Sequence, residues 1–232
     1  MKKIIISILG IFALNSGVAI ADESKITKGY HTMDAMGCML LRECTDGVEK
    51  VFSLLDISSQ YPNTDSFYPI ATEFNNMLVS LNRVGVNVFL AEEKYFPVGH
   101  RGVYHTVGNN FFLNKSFMHR PGVLMSVMRH EGWHAAQDCM AGEITNNFMA
   151  VIWDDGYIPE DYILRANIRY AHQPNVIPWE AEAIWAGDTP YATANALKAC
   201  NNPEGNMWDV YPPTPMTGEW LINNGYWDGV TK

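Results

Sequence analysis

Two histidines with a glutamate between them form the sequence feature with the clearest chemical meaning. His130 and His134 lie four residues apart in the string HEGWH, which also holds Glu131. Because residues four apart share one face of an α-helix, both imidazoles can reach one tetrahedral Zn²⁺ at roughly 2.0–2.1 Å. Glu131 then lies beside the open position of the metal, where it can take a proton from zinc-bound water and pass it to a leaving amine. The spacing therefore predicts a zinc site with Glu131 as general base.

The residues around this string favour the helix that the spacing requires. Pro121 and Gly122 open a helical segment over residues 123–140, and Gly142 ends it. Its apolar positions indicate a partly buried helix; they are Val123, Leu124, Val127, Met128 and Ala135. The spacing of HEGWH and its local context therefore agree.

Patterns before this helix predict a small sheet with a helix behind it. Residues 33–55 carry apolar positions at a spacing of three and four and indicate one or two short helices. Residues 67–84 form an amphipathic pattern long enough to back a sheet. Alternating and β-favouring runs then predict three short antiparallel strands at residues 86–90, 102–106 and 110–113.

Patterns after this helix are mostly helical. Helices are expected at residues 159–171 and 178–185, and a last one begins after Pro190 and ends at Cys200. Residues 201–232 are rich in aromatic residues and proline, and we expect them to be ordered by packing on the domain. With 47% hydrophobic residues and no repeat, residues 22–232 are predicted to form one α+β domain with a mostly helical C-terminal half.

A backing helix, a small sheet and a helix bearing HExxH resemble the zincin metallopeptidases. The resemblance covers roughly residues 67–189 and implies a zincin-like fold, a Zn²⁺ cofactor and a third protein ligand. The metzincin branch would carry Gly and His where this chain has Gln137 and Met140, so that branch is excluded.

The segment from Pro178 to Ala183, PWEAEA, is similar to the helix that carries the third ligand in gluzincins, including endopeptidases of the CAAX-prenyl type. The resemblance implies Glu180 as that ligand, because an Ala follows it three residues later. Glu182 is about 200° away around a regular helix, so it must point elsewhere. Those families often have an Asp at the position of Ile184. This chain therefore lacks, at that position, a carboxylate that would support the metal ligands. Asp138 is expected either to supply such support or to be a solvated charge.

Two further roles have several candidates. Hydrolysis needs a hydrogen-bond donor for the developing oxyanion, and the candidates between the ligand helices are Tyr157, Tyr162, Tyr170 and His172. Zincins bind an extended peptide along an edge strand, which here is either residues 103–106 or residues 110–113. Three other histidines have no ligand spacing and are given surface or structural roles; they are His100, His105 and His119.

The first 21 residues have the organisation of a cleaved secretory signal peptide. Lys2 and Lys3 precede an apolar run that ends in an A-x-A site at residues 19–21. Polar residues interrupt this run, whereas a membrane-spanning helix needs about 20 predominantly apolar residues. Asp22 stands where a lipoprotein would have Cys. We therefore expect a secreted or periplasmic protein without a stable membrane anchor after cleavage.

Four cysteines follow the expected signal peptide, and an exported chain with an even number favours two disulfides. Three pairings are possible. We favour Cys38 with Cys44, which are close in sequence, and Cys139 with Cys200. A cysteine zinc site is the alternative, but the chain lacks the paired C-x₂₋₄-C spacing of such sites.

The charge of the chain limits its partners. A net charge of −9 opposes binding to nucleic-acid phosphates, so a peptide or protein substrate is expected instead. The combined prediction is a secreted zinc metallopeptidase that hydrolyses peptide bonds through a zinc-activated water, with Glu131 as base and His130, His134 and Glu180 as ligands. The alternatives are a zincin-fold metal-binding protein without turnover and an extracellular interaction module.

Overall fold

A four-stranded sheet forms one side of the fold. The computed structural model describes residues 33–141, 149–153 and 156–200. In the spatial order β1-β2-β4-β3, β4 is enclosed between β2 and β3, and β1 and β3 are the two edges. The strands are β1 (Val48–Lys50), β2 (Asn87–Ala91), β3 (Gly102–His105) and β4 (Asn110–Asn114).

The sheet is mixed, so the expectation of an antiparallel sheet is wrong. β1 and β3 run antiparallel to their neighbours, whereas β2 and β4 run parallel, with Val88 beside Phe111. Parallel neighbours need a crossover connection. Residues 92–101 lead from β2 to the edge of the sheet, where the chain forms β3. A turn at Gly108 and Asn109 then connects β3 to β4, which lies between β3 and β2. The turn signal is local, but the insertion of β4 beside β2 depends on packing that no local pattern shows.

The described residues form seven α-helices, which include every helix expected from the periodicity and make the domain mostly helical. Their ends differ from the expected ones by a few residues. They are α1 (Met33–Leu40), α2 (Leu54–Ser58), α3 (Ala71–Arg83), α4 (Pro121–Met140), α5 (Glu160–Arg169), α6 (Ile177–Asp188) and α7 (Ala192–Cys200).

Residues 48–50 and 67–70 lie inside segments where helices are expected, but they have another structure. Val48–Lys50 is the edge strand β1, because its backbone pairs with β2. Thr64–Ile70 is a 3₁₀ helix that leads into α3. Pro69 lies inside it, and a proline has no backbone N–H and disfavours the α conformation in the residue before it. The regular helix therefore begins only at Ala71.

The sheet is buried on both faces. Val88, Leu90 and Phe111 belong to the main core, which includes buried side chains of α3 and α4. The alternate residues Phe89 and Phe112 belong to a second core against α1. This alternation follows from the two-residue period of a strand. α3 is thus the helix behind the sheet, and α4 lies beside β3 and β4.

A buried ion pair fixes α4 against α3. The Arg129 guanidinium donates to both carboxylate oxygens of Glu73, at 2.8 and 2.6 Å. Glu73 also accepts from the backbone N–H of Tyr191, in the connection between α6 and α7. Since Arg129 directly precedes His130, this contact fixes the part of α4 that carries His130.

Both favoured disulfide pairings are confirmed. The Cys38–Cys44 bond closes the end of α1, with a Cα–Cα distance of 5.2 Å. The Cys139–Cys200 bond joins the last turns of α4 and α7, with a Cα–Cα distance of 6.0 Å. The second bond therefore links α4, which carries His130 and His134, to α7, which follows the helix that carries Glu180.

Several expectations concern residues outside the described ranges. These are the signal peptide at residues 1–21 and the aromatic and proline-rich segment at residues 201–232. Within the described ranges, every helix is too short or too polar to cross a lipid bilayer.

Candidate metal centre and its cleft

Two helices bring the predicted metal ligands together. His130 and His134 lie one turn apart on α4, and Glu180 lies in the first turn of α6. One ligand atom from each lies within 4.8 Å of the others. Nε2 of His130 and Nε2 of His134 are each 3.6 Å from a carboxylate oxygen of Glu180. Two atoms bound to a tetrahedral Zn²⁺ at 2.0–2.1 Å are about 3.4 Å apart, so the three residues fit this ion.

The environment of Glu180 also fits a cation. Its side chain is 3% exposed, and its Oε2 atom is buried without a hydrogen-bond partner. A buried carboxylate oxygen without a partner is costly, and a metal ion would satisfy it. Burial, followed by the charges of His134 and Arg169, lowers the pKa of His130 well below its ordinary value. A neutral imidazole is the form that binds a metal.

A small residue lets α6 approach α4 closely. A Cβ atom on Gly187 would lie 3.2 Å from the backbone oxygen of Ser126 and 3.5 Å from Cβ of His130. Ala183, one turn earlier on α6, is completely buried. Small residues on this face therefore bring Glu180 within reach of the histidines.

Gln137 fixes the tautomer of His134, a role that the sequence analysis missed. Its amide Nε2 donates to the backbone oxygen of Trp179 at 3.1 Å and to Glu182 Oε2 at 2.7 Å. The amide oxygen must therefore be the atom that faces His134 Nδ1, 2.8 Å away. Nδ1 then carries the proton and donates it, and Nε2 is left with its lone pair for a metal. The available signal was a polar Gln one turn after His134, directly after two alanines.

Glu182 points away from the metal ligands, as its position on the helix predicts, and holds Gln137. It accepts from the Trp133 indole at 3.1 Å, from Gln137, and from the backbone N–H groups of Ile152 and Trp153 at 3.1 and 2.6 Å. Burial raises its pKa to about 7, although these donors act in the opposite direction. Glu182 thus joins α4, α6 and the segment at residues 149–153.

Glu131 lies between the metal ligands and the edge strand. Its Oε2 accepts from the backbone N–H of Tyr104, in β3, at 3.0 Å. Gly102 makes this approach possible, because a Cβ atom there would lie 3.2 Å from Glu131 Cγ and even closer to Val127. Burial, and then the charge of Glu180, raise the pKa of Glu131 to about 8. The carboxyl group is therefore one that can both accept and return a proton near neutral pH.

Both expectations for Asp138 are wrong. It is fully buried rather than solvated, and its partner is the Tyr104 hydroxyl, which donates to Oδ2 at 2.6 Å, rather than a metal ligand. Because β3 crosses α4 at this point, Tyr104 meets Asp138 with its side chain and Glu131 with its backbone. Sequence spacing shows the helical face of Asp138 but not the strand that crosses it.

One of the four oxyanion candidates lies at the site. Tyr170, directly after α5, lines a cleft together with His130 and Glu131. Burial, then the charge of Glu180 and a hydrogen bond to its carboxylate, raise the pKa of Tyr170, so its hydroxyl stays protonated and can donate. Tyr157 instead stacks on Trp153 at 4.0 Å, and His172 is exposed.

The remaining candidate, Tyr162, lies under the Arg165 guanidinium, 5.1 Å from the ring centre. The three other histidines lie outside the metal-binding group, as expected. His105 is buried, whereas His100 and His119 are exposed, and His100 lies at the rim of the cleft.

The cleft has a volume of about 580 Å³. One wall is the segment that leads into β3, and the opposite wall is formed by α5 and the end of α6. β3 is the edge strand beside Glu131, whereas β4 is internal, so among the described residues only the first of the two candidate peptide-binding strands lies at an edge of the sheet. The residues that line these walls include His100, Arg101, Gly102, Arg165, Arg169 and Asp188.

No protein-family model, curated protein or solved structure matches the chain. The interpretation of the site therefore depends on the geometry and chemistry of its own residues.

Proposed function

We propose that this chain is a zinc-dependent metallopeptidase that hydrolyses peptide bonds. The observation that carries the proposal is the meeting of His130, His134 and a Glu180 oxygen that has no hydrogen-bond partner among the described residues, next to a cleft that His130 and Glu131 line. A purely structural zinc site would have four protein ligands and no open position. Three converging ligands with a carboxyl group at an open cleft favour hydrolysis.

Each residue has a task in this proposal. The two histidines and Glu180 hold Zn²⁺, which when bound would polarise a peptide carbonyl and acidify water. Glu131 accepts the proton of the attacking water and delivers it to the leaving amine. Tyr170, whose phenol stays protonated, donates a hydrogen bond to the oxyanion that develops on the carbonyl oxygen.

The edge of β3 offers a binding site for the substrate backbone. The backbone oxygen of Arg101 accepts a hydrogen bond from the backbone N–H of Asn114, in β4. Along a strand of an antiparallel pair, the backbone N–H and C=O groups of successive residues point alternately towards the neighbouring strand and away from it. The N–H and C=O groups of Gly102 and Tyr104 therefore point away from β4, and the Tyr104 N–H already meets Glu131. An extended peptide added to this edge would pass directly over the metal-binding residues.

The arrangement of elements supports a zincin-like interpretation of the fold. A helix behind the sheet, an edge strand beside the HExxH helix and a third ligand from a later helix are the parts that the resemblance implies. Here α3, β3, α4 and α6 occupy those places.

We further propose that the protein acts outside the cytoplasm. Two disulfides join all four cysteines of the chain, and such bonds persist in oxidising compartments. The sequence of residues 1–21 supports the same compartment.

The test combines metal analysis with a peptide-library assay. Purified protein should bind close to one zinc ion per chain and cleave peptides. Glu131→Gln should keep the zinc and lower turnover by at least about a hundredfold, the scale of losing a general base. Full turnover by the zinc-loaded variant would contradict the mechanism. A chain that binds zinc but cleaves no peptide would be the metal-binding protein without turnover, and one that binds no zinc would be an interaction module.

A further inference from the structure

Two arginines lie on different walls of the cleft. Arg101 precedes β3 and Arg169 ends α5, and both line the cleft. In the part of the chain that the structure describes, neither forms an ion pair, whereas Arg165 is bound to Asp188 at 2.8 Å. The Arg101 guanidinium lies over the Phe117 ring, 5.6 Å from the ring centre.

This positive cleft contrasts with the charge of the whole chain. The protein has a net charge of −9, with 25 acidic side chains available to pair with 16 basic ones. The cleft nevertheless brings three arginines together against two lining carboxyl groups, Glu131 and Asp188, and only Arg165 pairs with a carboxylate among the described residues. In an acidic protein, two exposed guanidinium groups at one cleft that pair with no described carboxylate indicate a binding site for an anion.

The two arginines lie beside the reacting groups. Arg169 is followed directly by Tyr170, the proposed oxyanion donor, and Arg101 is followed by Gly102, which contacts Glu131. Both arginines line the same cleft as His130 and Glu131. An anionic group bound by these arginines would therefore lie close to the bond that is broken.

We propose that the cleft selects peptides that carry a carboxylate next to the cleaved bond, with Arg169 and Arg101 as the residues that bind it. This inference rests on the proposed peptidase function. The carboxylate is either an Asp or Glu side chain or the free C-terminus of the substrate. A guanidinium group binds both through paired hydrogen bonds, which a neutral amide cannot match.

The test uses matched peptides that differ by Glu against Gln on either side of the cleaved bond, each with a free or an amidated C-terminus. The zinc-loaded wild type should cleave the carboxylate member with a kcat/KM at least about tenfold higher. Arg169→Gln and Arg101→Gln should each reduce that ratio towards one. Arg83→Gln, which removes the same charge from an exposed position outside the cleft, should keep it.

The arms of the experiment distinguish the source of the carboxylate. A higher kcat/KM for the Glu peptide than for the Gln peptide in both C-terminal forms assigns the site to an acidic side chain, whereas a preference for the free over the amidated C-terminus assigns it to the terminal carboxylate. Added salt should weaken either preference, because exposed charges are screened. Equal kcat/KM values for all four peptides would overturn the inference and leave the peptidase function intact.

A binding measurement separates this inference from the proposed function. Zinc-loaded Glu131→Gln protein is titrated with the same peptides carrying a fluorescent label, and anisotropy is followed. Tighter binding of the Glu peptide, lost on adding Arg169→Gln, supports the inference even if no peptide is cleaved. Equal binding of the Glu and Gln peptides, together with equal binding of their free and amidated forms, refutes it. Failure of the wild type to cleave any peptide refutes the peptidase function alone.

Discussion

The side-chain oxygen of Gln137 accepts the Nδ1 proton of His134 at 2.8 Å, and this contact prepares Nε2 for a metal ion. Because Gln137 is itself held by Glu182, the orientation of the imidazole does not depend on solvent. Partners of this kind, which do not touch the metal, typically change metal affinity by 10–100-fold when they are removed.

Gln137→Leu is expected to lower zinc affinity by about 10–100-fold, because His134 loses the acceptor that fixes its tautomer. Competition titration with a fluorescent chelator measures the change. Gln60→Leu is the control, since Gln60 bonds Glu49 and the backbone near α2, away from the metal. Equal zinc affinity for both variants would show that His134 is oriented by other contacts.

Glu180→Ala and Glu182→Ala are expected to fail in different ways. Glu180→Ala removes a ligand and should weaken zinc binding by several kcal/mol, the scale expected when one of three protein ligands is lost. Glu182→Ala leaves four buried donors without their acceptor, so it should destabilise the fold by at least about 2–3 kcal/mol. Its effect on zinc should be smaller than that of Glu180→Ala and act through Gln137.

Paired measurements on these two variants check the assignment. Zinc titration and urea unfolding in the presence of a chelator report the two effects separately. If Glu182→Ala lost zinc while Glu180→Ala kept it, the assignment of the third ligand would be reversed.

The parts of the site that the sequence predicts are those fixed by a single helix. His130, Glu131 and His134 follow from one helical repeat, and the alternative between Glu180 and Glu182 follows from the angle between them. Each of these relations is local, so the spacing along the chain is sufficient to state it.

The parts that the sequence analysis missed depend on contacts between distant elements. Glu182 accepts from the segment at residues 149–153, and Asp138 meets a strand that is more than 30 residues away. The parallel pairing of β2 and β4 also depends on contacts between distant elements. The alternation of residues along each strand is the same whichever strand lies beside β2, so it does not decide the strand order. A buried polar residue in a helix indicates that a partner exists but not which element supplies it.

Tyr170→Phe is expected to lower turnover by about 10²–10³-fold, the scale of losing one oxyanion donor, while zinc content stays unchanged. The loss should fall mainly on kcat, because the hydrogen bond forms as charge develops on the carbonyl oxygen. Tyr157→Phe is the matched control, since Tyr157 packs against Trp153 and Trp185 outside the lining of the cleft. Unchanged kcat in zinc-loaded Tyr170→Phe would remove Tyr170 from the mechanism.

Asp138→Asn is expected to change how stability depends on pH. Burial raises the pKa of Asp138 to about 8, against an ordinary value of 3.8. Between these values the folded chain holds a proton that the unfolded chain has released, so Asp138 makes the folded state less stable as pH rises from about 4 to about 8. Asparagine does not titrate, and its side-chain oxygen can still accept from the Tyr104 hydroxyl.

The free energy of unfolding of Asp138→Asn relative to wild type should therefore increase with pH across this window and be constant below about pH 4. Urea unfolding at several pH values, with a chelator present, measures it, because the other titrating groups are common to both proteins and cancel in the difference. Asp46→Asn is the control, since Asp46 is exposed and its contact with Lys94 lowers its pKa. A difference between Asp138→Asn and wild type that stays constant from pH 4 to pH 8 would mean that Asp138 is ionised in the folded protein and that the Tyr104 hydroxyl stabilises its charge.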